Sequence, residues 1–156
     1  MDLFLIRHAI AEDGPDDDAR PLSAKGIKRF KGTVCALELL GVRFDRIIHS
    51  PKVRAVQTAE LLAPLLTGKL ESSPLLAISP SAAVLALLSG EVLGVVGHEP
   101  YLSTLLAWLV TGEATLGGAF ELKKGSVARL TGSPTPAGMR LNALLPPSVM
   151  RRMTAK

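Results

Sequence analysis

Leu3-Phe4-Leu5-Ile6 runs without a break into Arg7-His8-Ala9. A short apolar run bounded by polar residues reads as a strand buried on both faces, the kind found in a covered parallel sheet. The pattern recurs: Ile47-Ile48 leads to Ser50-Pro51, and Val92 to Val96 leads to Gly97-His98. Stretches of helical spacing separate these runs, so the chain alternates strand and helix as an α/β protein does. Ligands of open parallel sheets sit beyond the carboxyl ends of the strands. Arg7 and His8 therefore fall where chemistry is expected, a guanidinium that can hold a phosphate beside an imidazole that can attack it. A surface Arg-His pair that merely ends a strand is the competing reading of these two residues taken alone.

Taken in order, the first strand gives way to the acidic loop Glu12-Asp13-Gly14-Pro15-Asp16-Asp17-Asp18. Gly14-Pro15 favours a solvated turn, and Asp17 or Asp18 is the candidate to fold back toward His8. A helix follows Ser23 as N-cap, with Ile27, Phe30, Val34 and Leu37 on one face, and ends at Gly41. A strand is expected over 44–50. Pro51 is placed in the opening turn of the next helix, which buries Ala55, Ala59 and Leu62 and stops near Pro64. Ser50, Lys52 and Arg54 lie at the start of that helix. A cation there opposes the helix dipole unless an anion is bound, which marks Arg54 as a ligand-binding residue. A short strand over 69–73, a helix over 80–88 and a strand over 91–97 come next. His98 stands at the end of that strand as His8 does at the end of the first, each beside a charged residue. The following helix packs through Leu102, Leu105, Leu106 and Leu109, has Trp108 in its core, and ends at Gly112. The last third reads as strands over 119–123, 126–130 and 139–145. A Lys124-Gly125 turn suggests a hairpin, hence an antiparallel edge on the sheet. Arg151, Arg152 and Lys156 make a basic tail over 148–156 that is expected to be poorly ordered.

Composition narrows the function. At 156 residues the chain suits one domain, 1–156, with no repeat or linker. Aromatics are 4% against 47% hydrophobic residues, so Leu, Val, Ile and Ala carry the core. A net charge of +4 and a pI near 9.5 fit an anionic ligand. No basic block is interleaved with aromatics, so nucleic acid is not expected as a partner. The single cysteine, Cys35, excludes an internal disulfide, fits a reducing compartment and is read as helix core packing. No stretch has the length of a signal peptide or membrane span, so the protein is expected to be cytoplasmic, without membrane contact, and monomeric.

Arg7-His8, Ser50-Pro51 with Arg54, and Gly97-His98 are far apart in sequence, yet each ends or follows a strand, so all can meet at one sheet edge. Together they resemble the histidine phosphatase, or phosphoglycerate-mutase-like, superfamily, and most of all its small SixA-type phosphohistidine phosphatases. Leu5-Ile6-Arg7-His8-Ala9 is similar to the Arg-His-Gly signature, and Arg20-Pro21-Leu22-Ser23 to the segment that follows it. Ser50-Pro51-Lys52-Val53-Arg54-Ala55-Val56-Gln57-Thr58-Ala59 resembles the second block, and Val95-Val96-Gly97-His98-Glu99-Pro100 the block with the second histidine. The resemblance spans nearly the whole chain in the right order. It implies a three-layer α/β/α sandwich around a mostly parallel mixed sheet, without a lid insertion. It also implies His8 as the nucleophile that becomes a transient phosphohistidine, with Arg7, Arg54 and His98 holding the phosphoryl oxygens. Arg20, Ser50, Glu99 and Asp17 are further candidates for substrate contact. Neither a metal nor a cofactor is implied.

Two departures stand out. Ala9 replaces the glycine usual after the histidine. Larger members carry an acidic proton donor between the third strand and the second histidine, whereas this chain has only Glu71 and Glu91 there, outside the loop expected over 73–81. Expelling an alkoxide, comparable to hydroxide with a water pKa of about 15.7, needs a strong acid. Imidazole, with a pKa of about 6.5, leaves far more easily. The expected substrate is therefore a phosphohistidine on a phosphotransfer or signalling protein. The alternatives are a small phosphate ester or nucleotide as substrate, or a phosphate-binding module without activity. Glu99, Asp17, Asp18 or no residue at all remain open as proton donor, and His49 is read as incidental.

Overall fold

The computed structural model describes residues 1–155. Six strands form one mixed sheet in the order β3-β2-β4-β1-β5-β6. They are β1 (Asp2–Arg7), β2 (Phe44–His49), β3 (Leu66–Ser72), β4 (Val92–Gly97), β5 (Val127–Gly132) and β6 (Met139–Leu145). The first four run parallel, while β5 pairs antiparallel with β1 and β6 antiparallel with β5. The sheet is thus parallel at its centre with an antiparallel edge, as the order of elements implied.

Alternation along β1 shows how the layers arise. Phe4 and Ile6 enter one buried cluster, Leu3 and Leu5 the other. The first cluster is closed by α1 (Ala24–Leu39), α2 (Val53–Leu61) and α5 (Pro147–Thr154). The second is closed by α3 (Ala82–Leu87), α4 (Tyr101–Thr111) and the 3-10 turn Pro74–Ala77. This is the three-layer sandwich. Burying a Leu, Val or Ile side chain is worth about 1.5–3 kcal/mol, so two such clusters outweigh the scarcity of aromatics. Between β3 and β4, Leu76, Val84 and Leu88 are buried, and among the described residues no lid rises over the carboxyl end of the sheet. No helix among the described residues is long and apolar enough to cross a membrane.

Ser23 caps α1 by accepting the Gly26 amide at 2.9 Å. Gly26 itself is required by packing: a Cβ there would stand 2.0 Å from the Ile10 carbonyl oxygen, so α1 lies directly on the segment that follows His8.

Four expectations are corrected. Residues 119–123 form no strand, although Phe120 and Leu122 alternate with charged neighbours; Ala119 ends a 3-10 turn. Both edges of β1 are already taken by β4 and β5, and the hairpin is β5–β6, closed by 133–138. Residues 148–154 of the supposed loose tail belong to the helix Pro147–Thr154, anchored by Met150, which is fully buried in the first cluster; Lys156 lies outside the described residues. Cys35 is exposed, because it falls off the face formed by Phe30, Thr33, Val34 and Leu37. Pro51 precedes α2 rather than opening it, since the Ser50 hydroxyl accepts the Lys52 amide at 3.3 Å and holds 50–52 in a turn. Trp108 is half-buried against the second cluster.

Candidate functional site

Strand register brings the dispersed motifs together. Arg7 pairs with Gly97 and His49 with Val96, so one step further His8 lies beside His98, and Ser50 beside Gly97. Main-chain bonds continue the sheet into the site: the His8 amide donates to Gly97 and the Ser50 amide to Val96. The His8 and His98 rings are 5.2 Å apart between centroids.

The His8 ring is fixed. Its Nδ1 lies 2.7 Å from the Ala9 carbonyl, which can only accept, so Nδ1 carries the proton and Nε2 the lone pair. Arg54 Nε donates to that Nε2 at 3.3 Å. Burial holds the His8 pKa down at about 3; the Ala9 bond opposes this, while His98, Arg54 and Arg7 add to it. His8 is a neutral, oriented nucleophile at pH 7. His98 is pushed down to about 4, chiefly by burial and then by Arg54 and Lys52. Its Nε2 meets the Ser50 hydroxyl at 2.7 Å, while its buried Nδ1 has no protein partner.

Arg54 enters from the second residue of α2 and is almost fully buried. The acidic loop supplies the anion that its position calls for: Asp17 accepts from Arg54 through its carbonyl at 2.6 Å and its carboxylate at 3.2 Å. Lys52 Nζ lies 2.7 Å from the same carboxylate and 3.5 Å from that of Asp18. Hydrogen bonds from Lys52 and Arg54 hold the Asp17 pKa at about 2. So the loop does fold back, but onto Arg54 rather than onto His8. Arg20 stands one step away, bonding the Glu12 carbonyl and Asp17, and serves to hold the loop.

Arg7 donates to the Leu122 carbonyl at 2.8 Å and keeps a buried Nε without a protein partner. Burial lowers its pKa and nearby Glu99 opposes that. Glu99 is tied to the amide and hydroxyl of Ser103, and burial raises its pKa. Glu71 is paired with Arg46, and Glu91 is exposed, so neither is at the site. His49 is buried, with Nδ1 2.8 Å from the Ser50 carbonyl.

Sequence reading missed the residues that brace these groups. Thr58 Oγ1 donates to the Arg54 carbonyl and accepts the Ala9 amide; Gln57 Oε1 accepts the Leu22 amide at 2.7 Å. Both lie inside the quoted block 50–59, and nothing in their types alone marks them as braces. The Leu122 carbonyl belongs to the segment read as a strand.

Comparison with known proteins agrees with this geometry. Residues 3–77 match the model of the histidine phosphatase superfamily (branch 1). An uncharacterised protein of Picosynechococcus sp. is 33% identical over 142 residues, covering 83% of this chain and 84% of its own. The protein histidine phosphatase SixA in complex with tungstate superposes with a TM-score of 0.80 at 26% identity, over 95% of this chain and 98% of that one. An alpha-ribazole phosphatase from Shigella flexneri shares the fold, with a TM-score of 0.77 at 20% identity over 94% of this chain and 97% of that one. With matching motifs, architecture and relatives, the chain belongs to the histidine phosphatase superfamily, branch 1, in its SixA-type form, and is a phosphatase of that superfamily.

Proposed function

We propose that this phosphatase removes the phosphoryl group from phosphohistidine on a phosphotransfer or signalling protein, by way of a phosphohistidine on His8. One observation carries the reading: among the described residues, the carboxylates beside the site, Asp17 and Glu99, are each engaged by protein partners rather than free to protonate a leaving group. Asp17 is ionised and committed to Arg54 and Lys52. Glu99 is committed to Ser103.

His8 Nε2 attacks phosphorus in line and the P–N bond to the substrate imidazole breaks. Arg54 and Arg7 spread the negative charge on the equatorial oxygens, and His98 has spare hydrogen-bonding capacity at Nδ1 for the same purpose. The substrate ring, protonated at its other nitrogen, leaves as neutral imidazole without needing a strong acid. Water then attacks phosphorus, the bond to Nε2 breaks, and orthophosphate leaves with His8 restored. The lidless edge of the sheet supports a substrate side chain presented on a protein surface.

A small phosphomonoester is the second reading, favoured by Glu99 near Arg7, whose pKa burial raises, the direction a proton donor needs. Rapid quench with a radiolabelled phosphohistidine protein tests the first. The expected result is label trapped on the wild type in acid-labile, base-stable form and absent from His8→Ala. Label left on the partner protein by the wild type, with brisk turnover of an alkyl phosphate that collapses in Glu99→Gln, establishes the second reading instead.

A further inference from the structure

A cavity of about 450 Å³ lies between α1, the 123–125 turn and α5, on the face of the sheet away from α4. It meets the catalytic centre only at Arg7 and Ala9. The cations lining it are Arg7, Arg29, Lys123, Lys124 and Arg151, and no carboxylate lines it. Six cations outside the cavity, Arg20, Arg43, Arg46, Lys52, Arg54 and Arg129, sit in ion pairs. None of the five cavity cations does so among the described residues.

Thr33 gives an independent observation. It is 0% exposed, lines the cavity, and its hydroxyl has no protein partner. Buried polar atoms without partners are rare in native proteins. Among the described residues the side-chain instances are Arg7 Nε, Thr33 Oγ1, Asp45 Oδ1 and His98 Nδ1. One of these, Thr33 Oγ1, belongs to a residue that lines the cavity and plays no part in the catalytic centre.

The walls are held by packing. The stem of Arg151 lies against Gly32, where a Cβ would stand 3.1 Å from its Cγ, and Gly125 faces Phe30 and Pro147. Ile10, Phe30 and Pro147 give the cavity an apolar side opposite its cations. Its volume falls in the range of about 300–1,000 Å³ usual for small-molecule sites.

We propose that this cavity is a second ligand site, which binds a small organic polyanion of nucleotide size, its phosphates on Arg29, Lys123, Lys124 and Arg151 and its apolar body against Ile10 and Pro147. Binding there adds to the catalytic reading and does not depend on which phosphorylated substrate is turned over. Arg29 and Lys124 belong to the cavity and not to the catalytic machinery, so they separate the two sites.

The test is calorimetric titration of His8→Ala protein, which cannot turn the probe over, with ATP and with tripolyphosphate. The expected result is saturable ATP binding that weakens at least about tenfold in an added Arg29→Gln/Lys124→Gln pair, as the loss of two charge-assisted hydrogen bonds implies. An added Arg54→Gln leaves it within about twofold, since the two sites bind separately. Against wild-type His8, the Arg29→Gln/Lys124→Gln pair keeps its aryl phosphate kcat. Thr33→Val raises the thermal midpoint of the free protein and diminishes the shift that ATP induces. The proposal is overturned if neither probe binds at millimolar concentration. It is equally overturned if the cavity variants bind ATP as His8→Ala does, or if Arg54→Gln alone abolishes binding, which places the probe in the catalytic centre.

Discussion

The Thr58 hydroxyl accepts the Ala9 amide at 3.0 Å and donates to the Arg54 carbonyl at 2.7 Å. One side chain on α2 thus fixes both the residue after the nucleophile and the helix turn that carries the arginine facing it. Thr58→Val keeps the shape and orphans the buried amide, at a cost of about 1–3 kcal/mol in urea unfolding. Loosening the geometry between His8 and Arg54 is expected to lower kcat/KM by roughly ten- to a hundredfold. Thr58→Ser, which restores the hydroxyl, should recover most of that loss, and an activity unchanged in Thr58→Val would remove the brace from the mechanism.

The histidines set the pH behaviour. His8 at about 3 and His98 at about 4 lie below the unfolded value near 6.5, so the unfolded chain binds more protons in that interval. Their contribution to stability is complete above pH 6.5 and is lost as pH falls toward 4 and then 3. The thermal midpoint should therefore drop between pH 7 and 4. Over the same range, kcat/KM for an aryl phosphate, corrected for substrate ionisation, should stay level down to about pH 5, because the nucleophile remains unprotonated. An acid limb centred near 6.5 would show that His8 titrates as an ordinary exposed imidazole.

Asp17 competes with the substrate for Arg54 and Lys52. Asp17→Asn removes the competition of an exposed carboxylate, so orthophosphate should inhibit about two- to fivefold more tightly. The turnover number on an aryl phosphate should hardly change, since a carboxyl with a pKa of about 2 holds no proton to give at neutral pH. A hundredfold fall in kcat would instead identify Asp17 as a general acid.

Gly26 poses a conflict between local and tertiary preference. In a free helix alanine is better than glycine by about 1 kcal/mol. In this fold the added methyl would collide with the Ile10 carbonyl. Gly26→Ala is expected to destabilise by about 1–3 kcal/mol, the usual cost of overpacking. Chemical denaturation reads the sign, and a stabilised variant would mean that α1 rides freely over the 8–11 segment.

Much of this was legible because the sheet punctuates the sequence. Buried parallel strands are unbroken apolar runs, and each run ends at a polar residue the site uses: His8, Ser50, His98. The polar braces were not legible. Thr58 and Gln57 act through partners far away in sequence, and nothing in their spacing predicts which amide they will meet. Segment 119–123 misled for the opposite reason, since its alternation is right for a strand but the sheet offers it no free edge. Arg151 and Arg152 suggested a solvated tail, whereas one buried methionine, Met150, decides that α5 docks.

β1 lies inside the sheet, and its neighbours are β4 and β5, which the ribosome makes long after it. The nucleophile is therefore synthesised well before the strands that set it in place. Until Val127 to Thr131 have emerged, the strand that aims His8 has an open edge and Arg7 lacks its Leu122 acceptor. Such non-local pairing slows folding and leaves a bare strand edge in every nascent intermediate. The strand that aims His8 is enclosed only when the β5–β6 hairpin closes against β1, so the order of the strands ties assembly of the site to the late part of folding.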